Sequence, residues 1–167
     1  GSARVHFPIW HKEIEDILVL KNNKGTEDNR VRKLDYSIQL SKLFYERFIN
    51  NEDVSLFSPH DVPGLYDSFG TDDFDNLYKK FEADESVPRT TIGGQELILD
   101  LLKERAETGR IYLMNIDHCN SHSSFLDKVE MSNLCQEITL PTKPIQHIDD
   151  KAGEIALCIL SAINVGK

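Results

Sequence analysis

The chain has 167 residues, of which 40% are hydrophobic and 28% charged, so it is long and apolar enough to bury a core of its own. Its 28 acidic and 19 basic residues give a net charge of -9, which opposes binding to a nucleic-acid backbone and argues against a DNA or RNA polymer as partner. Because no apolar run approaches the roughly 20 residues of a membrane-spanning helix and residues 1–10 lack a secretory signal, we expect a cytoplasmic protein with no membrane partner.

Hydrophobic spacing in the first half of the chain predicts helices that alternate with strands. Apolar residues recur at helical spacing after Pro8, which suits the first turn of a helix, whereas Tyr36, Ile38 and Leu40 alternate like a strand. The predicted elements are a helix over 10–18, a strand over 34–40, a helix over 43–48, a strand over 54–57 and a helix over 74–81. The turn residues of 61–64 separate the last two.

The second half contains the clearest helix, over 95–107, with Leu97, Ile98, Leu101 and Leu102 predicted on one buried face and Gly109 as its stop. Three predicted strands follow, over 111–116, 133–140 and 155–160. The last is apolar almost throughout, as expected for a strand covered on both faces.

Strands mixed with helices predict an α/β sheet or barrel, and the even composition indicates a single unit over 1–167. Several of the strands would need neighbours that the sequence does not supply. We therefore expect the unit to be an incomplete part of a larger fold.

Residues 132–138 carry the pattern that points most directly to chemistry. If they form a strand, Asn133, Cys135 and Glu137 share one face at intervals of roughly 6 to 7 Å. A carboxylate beside a thiol disfavours a second negative charge, so a cysteine that reacts as a thiolate fits this position poorly. A neutral thiol that transfers a hydrogen atom would fit, with Glu137 as general base and Asn133 orienting a substrate hydroxyl. The alternative is a solvated polar face with a chance cysteine.

The other two cysteines allow several interpretations. Cys158 lies in an apolar run where a buried structural thiol is usual, while a redox role requires a partner thiol, for which Cys135 is one possibility. His118, Cys119 and His122 suggest a zinc-dependent hydrolase, but a structural zinc site needs four ligands and no second ligand pair is present. We therefore favour a loop without metal at 118–122.

Ordered segments along the whole chain closely resemble the large, catalytic subunit of class I ribonucleotide reductase in its bacterial and bacteriophage form. The segments are FPIWH (7–11), LVLKNN (18–23), LFSPHDVPGLY (56–66), DHCN (117–120), SNLC (132–135), LPT (140–142) and GEIALC (153–158). The resemblance implies a ten-stranded α/β barrel, with residues 1–167 as the central part of the catalytic barrel domain. It also implies reduction of ribonucleoside diphosphates to deoxyribonucleotides, the precursors of DNA, by a transient thiyl radical.

By this resemblance, Cys135 is the cysteine that carries the radical and takes a hydrogen atom from the 3′ carbon of the ribose. Glu137 is the carboxylate that removes the 3′-hydroxyl proton, and Asn133 is the amide that holds that hydroxyl. Cys158 is one of two thiols that supply reducing equivalents and end as a disulfide. Leu160 lines the substrate pocket, so the implied substrate-binding residues are Asn133, Cys135, Glu137 and Leu160.

The resemblance further implies that the chain holds no cofactor of its own and that a metal-containing small subunit generates the radical. It also implies that the full-length large subunit forms a homodimer, that nucleotides act as effectors, and that thioredoxin or glutaredoxin is the reductant. The redox partner of Cys158 lies outside this chain in the family pattern, so we expect the isolated chain to have no turnover. The alternative is a non-catalytic assembly module or one piece of a split enzyme.

Overall fold

The structure is a computed structural model that describes residues 4–22, 31, 33–143, 145, 147–154 and 158–166. Its strands are β1 (Arg4–Pro8), β2 (Asp35–Leu40), β3 (Asp53–Leu56), β4 (Thr90–Gly93), β5 (Ile111–Asn115), β6 (Val129–Ser132) and β7 (Thr139–Pro141). Its α-helices are α1 (Ile14–Leu18), α2 (Lys42–Asn50), α3 (Leu65–Ser68), α4 (Phe74–Ala83), α5 (Gly94–Thr108) and α6 (Ile116–Ser121). A 3-10 turn, Val19–Lys21, follows α1.

A parallel sheet of three strands, in the order β1, β2, β5, forms the centre of the described fold. Residue Ser37 of β2 lies opposite His6 of β1 and Tyr112 of β5, which fixes the register on both sides. Parallel strands need long crossover connections, and helices lie in both of them. The predicted α/β class is confirmed, and the sheet is not closed within the described residues.

The two faces of β2 have different neighbours. Tyr36, Ile38 and Leu40 are each at most 1% exposed and belong to the hydrophobic core, as their alternation predicted. Ser37 and Gln39 point to the opposite face and are also buried, at 0% and 2% exposure. That polar face contacts the antiparallel hairpin formed by β6 and β7.

An aromatic cluster joins helices α2 and α4 to strand β3. Phe44 of α2 packs edge-on against Tyr78 of α4, with ring centroids 5.6 Å apart. The Tyr78 hydroxyl donates to the Ser55 carbonyl at 2.6 Å and accepts from the Ser55 N–H at 2.9 Å. The Tyr78 ring can therefore be buried while its hydroxyl keeps two hydrogen bonds. The helices predicted over 43–48 and 74–81 are confirmed.

The prediction of a helix that starts directly after Pro8 was wrong. Pro8 is the last residue of the parallel strand β1, the helix begins only at Ile14, and Trp10 lies in the intervening turn with 0% exposure. Proline lacks an N–H and cannot donate a hydrogen bond to a neighbouring strand. It is tolerated at position 8 because the N–H that bonds to β2 is that of Ile9, and the other edge of β1 has no partner among the described strands.

Helix α5 confirms its prediction with one exception. Leu97, Ile98 and Leu101 are buried, and Gly109 ends the helix with a φ of 65°, a left-handed conformation that suits glycine. Leu102, however, is 44% exposed. It follows Leu101 by about 100° around the helix axis, which takes it beyond the buried stripe.

The strand predicted over 133–140 was also wrong. β6 ends at Ser132 and β7 begins at Thr139, so residues 133–138 form the loop of a hairpin. Of the strand predicted over 155–160, residues 155–157 lie outside the described residues. The remainder, 158–160, has no regular secondary structure, and Ile159 is 86% exposed.

The start of the hairpin is tied to α6 by the side chain of Asn120. Its Nδ2 donates to the Val129 carbonyl at 3.0 Å, and its Oδ1 accepts from the Val129 N–H at 2.8 Å. Gly70 allows this approach, because a Cβ atom there would lie 2.9 Å from Asn120 Nδ2 and 2.7 Å from the side chain of Ile116. The amide therefore replaces a strand partner at the first residue of β6.

A buried ion pair connects α2 with α4. Arg47 Nη1 donates to Glu82 Oε1 at 2.6 Å and to the Asp53 carbonyl at 2.7 Å, and the guanidinium lies 5.0 Å from the Tyr78 ring centroid. The two charged side chains are only 10% and 19% exposed. Removing one partner would therefore leave the other charge poorly hydrated.

We predict that Arg47→Met lowers the free energy of unfolding by about 3 kcal/mol, measured by urea denaturation, because Glu82 loses its partner. Lys42→Met is the matched control, since the Lys42–Glu46 pair is 75% and 48% exposed and should contribute less than about 0.5 kcal/mol. Equal losses for the two variants would contradict the prediction.

Candidate active site

The loop of the β6–β7 hairpin is closed by hydrogen bonds from one residue, Asn133. Its N–H donates to the Ile138 carbonyl at 3.1 Å, its Oδ1 accepts from the Ile138 N–H at 3.1 Å, and its carbonyl accepts from the Gln136 N–H at 3.2 Å. Gln136 has a φ of 62°, which breaks the extended backbone and reverses the chain. Cys135 lies in this turn and is exposed.

The strand face predicted for residues 133–137 is absent from the structure. Asn133, Cys135 and Glu137 do not share one face of a strand, because they lie in a turn whose side chains do not alternate. They do remain together in one six-residue loop, with Cys135 and Glu137 exposed and Asn133 half-buried. Their predicted catalytic roles stay predictions.

Asn133 also contacts the segment that contains Cys158. Its Nδ2 donates to Cys158 Sγ at 3.7 Å, a weak bond to sulfur that joins two residues 25 positions apart. Cys158 is half-buried, and all three cysteines are free thiols. Leu160 is 83% exposed, and its predicted place in a substrate pocket stays a prediction.

Two residues that support the loop were missed by the sequence analysis. Gln136 Nε2 donates to the Leu113 carbonyl at 2.5 Å, which anchors the loop to β5. The Arg4 guanidinium lies 3.8 Å from the Tyr112 ring centroid, and its Nε donates to the Leu134 carbonyl. Nothing in the local sequence signals these contacts, because they join residues 23 and 130 positions apart.

His6 lies beside the hairpin on the polar face of the central sheet. Its Nδ1 is 3.1 Å from Ser37 Oγ, and its Nε2 accepts from the Ser132 N–H at 3.2 Å. The pKa of His6 is lowered from 6.5 to about 4, chiefly by burial and secondarily by the positive charge of Arg4. The imidazole is therefore neutral near pH 7.

Residues 118–121 belong to helix α6, so the loop predicted for 118–122 was wrong. Within the described residues, no group of three or more His, Cys, Asp or Glu side chains is arranged to hold a metal ion. His122 Nδ1 instead lies 3.1 Å from the His118 carbonyl oxygen. Burial, and second the nearby Asp117 carboxylate, raise the pKa of the Cys119 thiol, which makes it a poor nucleophile.

We predict that acid destabilises the protein partly through His6. Because its pKa is lower in the folded state, the unfolded chain binds the proton more readily, and stability is lost as the pH falls from 6.5 toward 4. The loss of unfolding free energy between pH 7 and pH 4.5 should be about 2 kcal/mol smaller in His6→Gln than in the unmodified chain. His60→Gln is the control for replacing an exposed histidine, and the assignment is refuted if His6→Gln changes the pH dependence no more than His60→Gln does.

Comparison with known proteins places the chain in a family. The family described as "Ribonucleotide reductase, barrel domain" matches residues 1–167. The chain is 55% identical to ribonucleoside-diphosphate reductase subunit alpha of Haemophilus influenzae, over 100% of this chain and 23% of that protein. It is 53% identical to ribonucleoside-diphosphate reductase 1 subunit alpha of Escherichia coli, over 87% of this chain and 20% of that protein. Identity to the subunit alpha of Enterobacteria phage T4 is 44%, over 97% and 22% respectively.

The chain thus spans less than a quarter of the length of these relatives. In the part of the chain that the structure describes, no helix combines the length and apolarity needed to cross a membrane. The match over the full chain and the mixed α/β architecture lead to one conclusion. The chain belongs to the ribonucleotide reductase barrel-domain family.

Proposed function

We propose that the chain forms the central part of the catalytic barrel of a ribonucleoside-diphosphate reductase large subunit. In this proposal Cys135 carries a thiyl radical and takes a hydrogen atom from the 3′ carbon of a ribonucleoside diphosphate. The observation that carries it is the exposed Cys135 thiol in a short, internally bonded loop of a chain that matches the family throughout.

The loop geometry supports hydrogen-atom transfer. A thiyl radical must approach a ribose carbon closely and repeatedly in the same orientation, so its backbone has to be fixed while its sulfur stays accessible. The Asn133 bonds across the loop and the Gln136 bond to β5 fix the backbone, and Cys135 itself is exposed.

The two ends of the Asn133 amide divide its proposed roles. Oδ1 is engaged by the Ile138 N–H, so Nδ2 is the end that can donate to a substrate hydroxyl oxygen. Glu137 is exposed in the same loop and would accept the 3′-hydroxyl proton as general base. Donation to the oxygen and removal of its proton are compatible because they use different sites on the hydroxyl.

Cys158 would supply reducing equivalents from beside the loop. Oxidation of two thiols to a disulfide releases two electrons and two protons, which replace one C–OH bond by C–H and release the oxygen as water. The contact of Asn133 Nδ2 with Cys158 Sγ supports this placement. The second thiol of the pair and Leu160 as a pocket residue are carried over from the family pattern.

The whole enzyme would also need partners. We propose a metal-containing small subunit that generates the radical, thioredoxin or glutaredoxin as reductant, and a homodimer of the large subunit in the cytoplasm, regulated by nucleotides. The isolated chain would then have no turnover.

A chimera tests the catalytic proposal. The matching segment of the Haemophilus influenzae subunit alpha is replaced by this chain, and deoxyribonucleotide formation is measured with that enzyme's small subunit and a dithiol reductant. We predict that the chimera is active and that Cys135→Ala lowers turnover by more than about 1,000-fold, since no other thiol replaces the radical carrier.

Cys119→Ala is the matched control and should keep turnover within about twofold, because that thiol lies on α6 outside the loop. Turnover in the Cys135→Ala chimera, or no turnover in the unsubstituted chimera, would refute the proposal.

We further predict that Glu137→Gln lowers kcat of the chimera by about 100-fold or more with little change in KM, because the amide cannot accept the hydroxyl proton. Glu130→Gln removes a carboxylate from the neighbouring strand β6 and should leave kcat nearly unchanged. Equal effects of the two variants would exclude Glu137 as the base.

A further inference from the structure

Strand β6 has one edge paired with β7, while its other edge faces the polar side of the central sheet. No strand pairs with that second edge among the described residues. Side chains from the central sheet take its place and bond to backbone groups of alternate residues. The bonds are Gln39 Nε2 to the Glu130 carbonyl at 2.7 Å, the Ser132 N–H to His6 Nε2 at 3.2 Å, and Arg4 Nε to the Leu134 carbonyl.

We call Arg4, His6 and Gln39 the side-chain clamp. The N–H and C=O groups of every second residue point to the same edge of a strand. The clamp bonds to groups on one edge at residues 130, 132 and 134, so it fixes the position of β6 as a neighbouring strand would. It extends from Glu130 in β6 to Leu134, the residue before Cys135. The clamp therefore acts on the backbone that leads into the candidate active-site loop.

His6 is the central member of the clamp, and its hydrogen bonds define one tautomer. Because Nε2 accepts from the Ser132 N–H, the proton of the neutral ring is on Nδ1, which donates to Ser37 Oγ. Ser37 is 0% exposed and Ser132 4% exposed, so water does not compete readily for these bonds. The Ser132 hydroxyl in turn donates to the Asn133 carbonyl at 2.9 Å.

We propose that His6 is a positioning residue that fixes Ser132, and through it the loop carrying Cys135, at one height above the sheet. The catalytic consequence rests on the proposed reductase function, whereas the positioning itself does not. His6 makes no contact with the thiol and acts through the Ser132 backbone.

Amide hydrogen exchange in the 167-residue chain tests the positioning directly. In His6→Leu the Ser132 N–H loses its acceptor, and its exchange should become about tenfold faster or more. His6→Gln places an amide oxygen near the position of Nε2 and should restore slow exchange. Protection of the Ile38 amide in the central sheet reports whether each variant is folded, and His60→Leu is the control for loss of an exposed histidine.

Unchanged exchange of Ser132 in folded His6→Leu, or exchange in His6→Gln as fast as in His6→Leu, would overturn the proposal. If His6→Leu loses protection at Ile38, the nitrogen NMR shifts of His6 in the unmodified chain decide. A protonated Nδ1 and an unprotonated, hydrogen-bonded Nε2 support the proposal, and the opposite tautomer overturns it.

The reductase chimera tests the catalytic consequence separately. His6→Leu should lower kcat about tenfold with KM nearly unchanged, and His6→Gln should recover most of the loss. An active chimera whose kcat is unaffected by His6→Leu would overturn the catalytic role of the positioning. An inactive unsubstituted chimera would instead refute the proposed function, while hydrogen exchange still decides the role of His6.

Discussion

Strand β2 is hydrogen-bonded to a parallel strand on each side, and this double pairing determines which side chains of β2 lie on each face of the sheet. Tyr36 and Ile38 point into the core, whereas Ser37 and Gln39 point to the hairpin. A slip of β2 by one residue would exchange the two sets and place polar groups in the core. The register of β2 therefore determines both where the helices pack and where the hairpin binds.

The candidate active-site loop is held in place in two ways. Hydrogen bonds of Asn133 close the loop itself, and side chains of the central sheet, such as His6, bond to the backbone that leads into it. A thiol that reacts as a radical requires no cationic neighbour, and an exposed carboxylate in the same loop is compatible with it. In the proposed radical mechanism, the presence of Cys135 and Glu137 in one loop is therefore no obstacle.

The sequence predicted the elements whose signals are local. The alternation of Tyr36, Ile38 and Leu40 predicted β2, and the apolar stripe and Gly109 predicted α5 and its end. β1 was missed because Pro8 favours the first turn of a helix as well as an edge strand.

The candidate site was only partly predictable. Residue types at Asn133, Cys135 and Glu137 suggested a neutral thiol with a base and an orienting amide on an assumed strand face, and family resemblance implied the individual roles. The strand itself was wrong, because their spacing fits a turn as well as a strand. The turn depends on a left-handed Gln136, a residue with no preference for that conformation. The contact between His6 and Ser132 spans 126 positions, and no periodicity reports such a distance.

Asn120 has a consequence for how this region tolerates change in length. Its amide bonds both backbone groups of Val129 directly, so the start of the hairpin is set from α6 without help from the tip of the intervening loop. Leu126 at that tip is fully exposed. Insertions and deletions between 124 and 126 should therefore leave the start of the hairpin in place, which makes this tip a suitable position for a peptide tag or a fluorophore.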